Sequence, residues 1–193
     1  MKTNGDPYTD RRFSVQKKCD IMGMCIVLSL RSQKSQGGDA VDRQIITELY
    51  KAYAQDVFRL ALSYLHNRQD AEDICQKVFL TLLDRKVDLF PGKEKVWLLT
   101  CTANACKNHL KSFWKRNVYE LDESMAFSGE SEKELWSAVM SLTPKYRAAI
   151  HLYYYEGYSQ EEIAEILKIS RTAVQTRMSR ARLQLKKELS KYE

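Results

Sequence analysis

Residues 159–182, with the sequence SQEEIAEILKISRTAVQTRMSRAR, decide the fold of this chain. Ser159 and Glu162 have the S-x-x-E spacing of a capping box, in which the two residues satisfy each other's unpaired N–H groups. This spacing predicts a short helix over Gln160–Leu167. Three residues separate it from a second, longer helix, for which Ser170 is the expected N-cap. Two helices joined by so short a turn follow the helix-turn-helix plan.

The second helix of this pair is strongly basic, whereas the first is acidic. Residues 171–187 include six lysine or arginine residues and no aspartate or glutamate, whereas the first helix carries three glutamates. A basic run alone is more often the solvated face of an ordinary helix, but capping box, turn length and charge split together favour DNA. Side chains near the helix start would face base edges, and later ones phosphates. The candidates are Ser170, Arg171, Thr172, Gln175, Thr176, Arg177 and Arg180.

A second basic stretch, residues 97–116, differs because aromatic side chains are interleaved with its lysine and arginine residues. Unstacked bases can lie on aromatic rings while the nucleic-acid backbone meets positive charge, so this composition favours single-stranded DNA. For Trp97 alone, a place in the hydrophobic core is an equally good interpretation. The candidates here are Trp97, Asn104, Lys107, Asn108, Lys111, Trp114, Lys115 and Arg116.

Composition and charge placement predict an all-α protein of two small helical domains joined by a flexible acidic linker. The 193 residues include only seven glycines and three prolines, too few for an architecture of strands and turns. The net charge of the whole chain, +6, is distributed unevenly. Residues 104–116 carry a net charge of +4, residues 117–134 carry −5 and residues 171–187 carry +6. We expect an N-terminal extension over residues 1–40, a helical domain over 41–116, the linker over 117–134 and the helix-turn-helix domain over 135–193.

Cysteine and histidine usage predicts a protein of a reducing compartment, the cytoplasm, with no metal and no cofactor. The five cysteines are odd in number and form no C-x-x-C pair, and the three histidines lack metal-ligand spacing. The uncharged apolar run over residues 21–30 is half the roughly 20 residues that a membrane span needs. Within the first domain, Asp70 is the expected N-cap of a helix with Glu72 and Asp73 in its first turn.

Three ordered blocks of this sequence resemble the bacterial RNA polymerase sigma factors of the extracytoplasmic-function type. They are residues 70–79 (DAEDICQKVF), residues 97–110 with Asn104, and the helix-turn-helix over residues 159–182, preceded by Leu142-Thr143-Pro144. The resemblance covers about residues 44–189. It implies a first domain that binds core polymerase and opens the −10 promoter element, and a second that reads the −35 element as duplex.

The resemblance also implies roles for particular residues. The interface with polymerase would be formed by Asp70, Asp73, Gln76 and Lys77, and Asn104 would help hold a flipped-out base. Lys77 stands where the family usually has an acid, and Lys168 where a turn glycine is common. Thr100 and Gln175 replace residues that are commonly basic. The implied partners are core RNA polymerase, promoter DNA and an anti-sigma factor, with no small-molecule substrate.

Two other classes of function remain as alternatives at this point. A stand-alone helix-turn-helix regulator would explain residues 142–189 but would give no role to the aromatic and basic stretch. A nucleic-acid-processing enzyme is poorly supported, because no carboxylate cluster, phosphate-binding glycine loop or nucleophile–base motif occurs in the sequence. We therefore expect a promoter-specificity subunit that is not an enzyme.

Overall fold

The structure is a computed structural model that describes residues 39–85, 91–113 and 130–191. Three helices form an N-terminal bundle: α1 (Asp39–Leu65), α2 (Arg68–Arg85) and α3 (Glu94–Phe113). Helix α1 packs against both of the others, and α2 also contacts α3. Apolar side chains at helical spacing on all three close the centre of the bundle, with Leu60, Phe79 and Leu98 fully buried. The predicted helices of the first domain are thus present.

The junction between α1 and α2 corrects one detail of the sequence prediction. The N-cap of α2 is Asn67, whose side-chain Oδ1 accepts a hydrogen bond from the backbone N–H of Asp70 at 2.9 Å. The prediction that Asp70 is the cap is therefore wrong. An asparagine before the first helical residue satisfies an otherwise unpaired N–H group as well as an aspartate does. Asp70 instead lies in the first turn, with its carboxylate 3.4 Å from Nε2 of His109 on α3.

The remaining four helices form a C-terminal bundle: α4 (Glu130–Ser141), α5 (Pro144–Ile150), α6 (Gln160–Leu167) and α7 (Arg171–Leu189). Helix α4 includes the last five residues of the segment predicted as linker. Thr143 has extended backbone geometry and Pro144 occupies the first helical turn, where the missing N–H of proline is tolerated. After Ile150 the helix widens into a π-helical turn over His151–Tyr155. It stops before Gly157, whose φ of 74° is readily adopted only by glycine.

The two bundles share one continuous hydrophobic core. Helix α1 packs on α5, and α3 packs on α6, so the helix-turn-helix rests against the N-terminal bundle. The described part of the chain contains no strand, and the all-α fold class is confirmed. None of its helices has the length and apolarity required to cross a membrane.

Candidate nucleic-acid interface

The helix-turn-helix is built by the capping residues that the sequence predicts. The Ser159 hydroxyl accepts from the N–H of Glu162 at 3.3 Å, and the Glu162 carboxylate accepts from the N–H of Ser159 at 2.8 Å. Hydrogen bonding to Ser159 lowers the pKa of this carboxyl. At the start of α7, the Ser170 hydroxyl accepts from the N–H of Ala173 at 3.1 Å. Both helix starts are therefore confirmed.

Between the two helices, Lys168 adopts a left-handed backbone with φ 52° and ψ 54°. Its N–H and that of Ile169 donate to carbonyls of the last turn of α6, which closes that helix. This is the position where the family commonly has glycine, and the chain keeps the left-handed turn despite the lysine. A Cβ atom in this conformation costs about 1–2 kcal/mol.

Helix α7 divides into a buried stripe and an exposed basic face. Val174, Met178 and Ala181, spaced by three and four residues, are buried against the rest of the C-terminal bundle. The opposite face lies in solvent near the helix start. The DNA-binding candidates exposed there are Ser170, Arg171, Thr172, Gln175, Thr176 and Arg180, whereas Arg177 is half-buried.

One of these candidates already has a partner on the first helix of the pair. The guanidinium of Arg171 contacts the carboxylate of Glu161 at 2.9 Å, and both side chains are more than half exposed. An exposed pair of this kind contributes little to stability and is readily exchanged for another partner. The guanidinium can therefore leave Glu161 for a base edge or a phosphate when DNA approaches.

Helix α3 presents only part of the predicted single-strand surface. Asn108 and Lys111 are exposed, whereas Asn104 and Lys107 are half-buried. Trp97 is also half-buried and packs against the hydrophobic core, the alternative that the sequence left open. Trp114, Lys115 and Arg116 lie outside the described residues.

Lys107 is engaged with the helix-turn-helix rather than directed to solvent. Its Nζ donates to the carbonyl oxygen of Leu167, the last residue of α6, at 2.8 Å. Burial is the largest cause that lowers the pKa of Lys107, and the positive charges of Arg177, Lys168 and Lys111 lower it further. The structure thus brings basic side chains from the two predicted DNA-binding surfaces, Lys107 and Arg177, close together.

The four candidates for a polymerase contact lie on α2. Asp73 and Lys77 are exposed, while Asp70 and Gln76 are half-buried. Spacings of three, four and seven residues place Asp70, Asp73 and Lys77 on one face of the helix. Leu80, 39% exposed, extends this face by another turn.

Arg147 is a residue that the sequence reasoning missed. It is 5% exposed in the middle of the apolar α5, and its guanidinium donates to four backbone carbonyls. An arginine inside an otherwise apolar turn was the available indication, because a buried guanidinium requires several acceptors.

Lys95, also missed, forms a further polar contact between the bundles. Its Nζ lies 2.9 Å from carboxylate oxygens of both Asp56 and Glu156. Burial would lower the pKa of Lys95, but the hydrogen bonds to Glu156 and Asp56 outweigh it and raise that pKa. For Glu156, burial acts in the opposite direction, and the hydrogen bonds with His151 and Lys95 lower its pKa to about 2.

The cysteines, histidines and acids of the described residues give no indication of a metal site. Among these side chains, no group of three histidines, cysteines or acids could hold a metal ion. Cys75 and Cys106 are buried thiols and Cys101 is half-buried. Burial raises the pKa of Cys106, which is typical of an unreactive structural cysteine.

Helices α6 and α7, packed beside the basic helix α3, define a helical protein of the helix-turn-helix DNA-binding class. Residues 49–116 match the family description "Sigma-70 region 2", and residues 132–185 match "Sigma-70, region 4". The RNA polymerase sigma factor SigV of Bacillus subtilis is 32% identical over 148 residues, which cover 70% of this chain and 88% of SigV. The chain belongs to the RNA polymerase sigma factors of the extracytoplasmic-function (ECF) type.

Two further relatives and two solved structures are similar to this chain. The ECF sigma factor SigM of Bacillus subtilis is 28% identical over 73% of this chain and 93% of its own. The chain spans 65% of the ECF sigma factor SigE of Mycolicibacterium smegmatis, at 29% identity over 80% of this chain. The fold is similar to that of the sigma factor RpoE in complex with the anti-sigma factor NepR from Bartonella quintana (TM-score 0.63, 22% identity, 72% of this chain and 92% of that one). It is also similar to CnrH in complex with the cytosolic domain of CnrY (TM-score 0.58, 20% identity, 90% and 97%).

Proposed function

We propose that this chain directs core RNA polymerase to promoters by binding the −35 element as duplex and the −10 element as an opened strand. The observation that carries the proposal is the exposed, basic first half of α7, set on a buried stripe and positioned by a capped turn. Such a helix enters the major groove with its N-terminal residues at the base edges. In this proposal Arg171, Thr172, Gln175 and Thr176 face bases, and Ser170, Arg177 and Arg180 lie near phosphates.

The −10 strand is assigned to α3 and the residues that follow it. Asn104 is proposed to hold an extruded base, while Lys107, Asn108 and Lys111 meet the backbone and nearby bases. Trp97, Trp114, Lys115 and Arg116 complete this surface. Core polymerase would bind the exposed face of α2 through Asp70, Asp73, Gln76 and Lys77.

The chain would supply selective binding and no bond-making chemistry, so that the polymerase is the catalyst. We assign residues 41–116 to the −10 domain and 135–193 to the −35 domain, joined by 117–134 and preceded by an extension over 1–40. By analogy with the sigma factor RpoE, which was solved in complex with the anti-sigma factor NepR, an anti-sigma protein is a further partner, and the site of action is the cytoplasm. A stand-alone regulator would need only α6 and α7 and would leave the region 2 match without a role.

Transcription with purified core polymerase tests the proposal directly. The chain is added to core enzyme that lacks any sigma factor, and promoter-dependent transcripts are mapped on a genomic DNA library. Transcripts that start at a common pair of upstream elements would support it. No chain-dependent transcript from any fragment of the library would overturn it.

Two substitutions then test the division of labour between α3 and α7. Gln175→Ala should weaken binding to the −35 duplex by about 1–3 kcal/mol at one base position if Gln175 contacts a base. Gln184→Ala, an exposed glutamine further along α7, is the matched control and should change binding little. Asn104→Ala should reduce strand opening while leaving −35 duplex binding unchanged. Loss of duplex binding in Asn104→Ala would contradict the assignment.

A further inference from the structure

Four cations gather where α3 packs against the helix-turn-helix. Lys107 and Lys111 lie one turn apart on the same side of α3. The Nζ of Lys107 lies 2.8 Å from the carbonyl oxygen of Leu167, and Lys168 is the next residue along the chain. Arg177, half-buried on α7, is the fourth member. We refer to Lys107, Lys111, Lys168 and Arg177 as the junction cations.

The junction cations repel one another. Burial is the largest cause that lowers the pKa of Lys107, and the positive charges of the other three lower it further. Charges of side chains act on one another mainly within about a Debye length, roughly 10 Å at 0.1 M salt. The four groups therefore form one compact centre of positive charge.

This centre has no acidic side chain to balance it. In the part of the chain that the structure describes, none of the junction cations forms an ion pair with a carboxylate. A nearby contact between the bundles is built differently, since Lys95 lies 2.9 Å from carboxylate oxygens of both Asp56 and Glu156. Positive charge that is partly removed from water and lacks a counter-charge is unfavourable, so the junction is suited to binding an anion.

Lys168 provides a second, independent indication of binding. Its backbone, with φ 52° and ψ 54°, has a left-handed conformation that glycine adopts without strain and lysine does not. Strained conformations are concentrated at functional sites, where the side chain offsets the strain by what it binds. The Lys168 side chain is exposed, so a ligand can reach it from solvent.

The chemistry of the junction cations matches a chain of phosphates. Lysine binds phosphate oxygens as a point charge, and arginine binds pairs of them. An ammonium group has three N–H donors, of which Lys107 gives one to the carbonyl of Leu167, so two remain for a ligand. A phosphate group carries about −1.5 to −2 at pH 7, so two or three linked phosphates carry roughly the charge that balances four cations.

We propose that the junction cations form a binding site for a compact polyphosphate, such as the phosphate chain of a nucleoside di- or triphosphate. A DNA duplex cannot place its backbone between α3 and α6, because these helices are in contact, whereas a small anion can lie at the edge of that contact. The ligand would stabilise the protein by mass action. It would also compete with DNA, because three of the four cations belong to the proposed promoter-binding surfaces.

Isothermal titration calorimetry of the purified chain with inorganic tripolyphosphate, at constant ionic strength, tests the site. Lys111→Gln and Lys168→Gln each remove one charge from an exposed side chain of the site. Lys186→Gln removes an exposed lysine of α7 that lies roughly 13 Å beyond Arg177 along the helix, and it is the matched control. Far-UV circular dichroism establishes that each variant keeps its helices.

We expect one tripolyphosphate to bind per chain, and Lys111→Gln and Lys168→Gln each to weaken its affinity about tenfold. Lys186→Gln should change the affinity less than twofold. Orthophosphate should bind at least tenfold more weakly than tripolyphosphate, because a single phosphate cannot reach all four cations. ATP and GTP with affinities equal to that of tripolyphosphate would support recognition of the phosphate chain alone, and tighter binding of one of them would support a nucleotide as the ligand.

Two results would overturn the proposal. One is the absence of saturable tripolyphosphate binding by the unmodified chain. The other is equal weakening in Lys168→Gln and Lys186→Gln, which would show diffuse attraction to a basic protein and no defined site. The outcome is independent of promoter recognition: if tripolyphosphate binds but the chain supports no transcription by core polymerase, the site stands and the promoter function is wrong. If transcription proceeds and tripolyphosphate does not bind, the function stands and the site is wrong.

Discussion

Replacement of Lys168 by glycine should stabilise the protein, because this lysine holds a left-handed backbone in the turn of the helix-turn-helix. At φ 52° and ψ 54° the Cβ atom crowds the backbone, which costs about 1–2 kcal/mol. Glycine removes this cost but loses about 0.5–1 kcal/mol through the greater freedom of the unfolded chain. The difference between these two ranges is a net gain of up to about 1.5 kcal/mol, centred near about 0.75 kcal/mol, and the central value corresponds to roughly 1.5–3 °C in Tm for a chain of this size.

The matched variant is Lys168→Ala, which removes the same charge but keeps the Cβ atom. Both the alanine and the glycine variant remove the repulsion between Lys168 and Lys107. The difference between their free energies of unfolding therefore isolates the cost of the left-handed backbone. Lys168→Asn should lie between them, since asparagine tolerates the left-handed region better than most residues. Thermal and urea unfolding of the three variants measure the order. A glycine variant no more stable than the alanine variant would refute the reasoning.

Three further predictions concern neighbouring groups. Because the fold lowers the pKa of Glu156 to about 2, the ionised carboxylate stabilises the protein above about pH 4.5, and this stabilisation is lost as the pH falls toward 2. Urea unfolding at several pH values should therefore show that the unmodified chain is more stable than Glu156→Gln by at most about 3 kcal/mol at neutral pH, and that this difference shrinks between about pH 4.5 and pH 2. Ser159→Ala, which breaks the capping box with Glu162, should cost about 1 kcal/mol of unfolding free energy, whereas Ser159→Asp should retain most of it. Glu161→Gln frees Arg171 and removes a negative charge beside the DNA surface, so fluorescence anisotropy should give duplex affinity about two- to fivefold tighter, an effect that high salt should reduce.

The helix-turn-helix was predictable to the residue because its determinants are local. Ser159, Glu162 and Ser170 each satisfy N–H groups within three residues of themselves, and Gly157 supplies a conformation that other residues avoid. Such interactions are encoded in short spacings that a single sequence displays. The prediction that Asp70 caps α2 was wrong because Asn67, three residues earlier, is an equally good type of cap and lies directly before the first helical residue.

The contacts between the bundles could not be predicted, because they join residues distant in sequence. Arg147 reaches carbonyls 83 and 84 residues away, and Lys95 reaches a carboxylate 61 residues away. Backbone carbonyls at helix ends have no sequence signature, so their acceptors for a guanidinium become apparent only when the helices are placed. The same holds for Lys107, which the sequence assigned to DNA and which the fold directs to the end of α6.

The position of Lys107 bears on the stability of the junction between the two bundles. Burial lowers the pKa of this lysine, and the positive charges of Arg177 and Lys168 lower it further. Like charges gathered at the junction destabilise the packing of α3 on α6, because the ammonium group has lost part of its hydration and faces other cations. Arg147 and Lys95 act in the opposite direction, since each places its charge beside carbonyl or carboxylate oxygens of the other bundle. The junction therefore combines repulsive and attractive contacts of basic side chains, and only the attractive ones have buried acceptors.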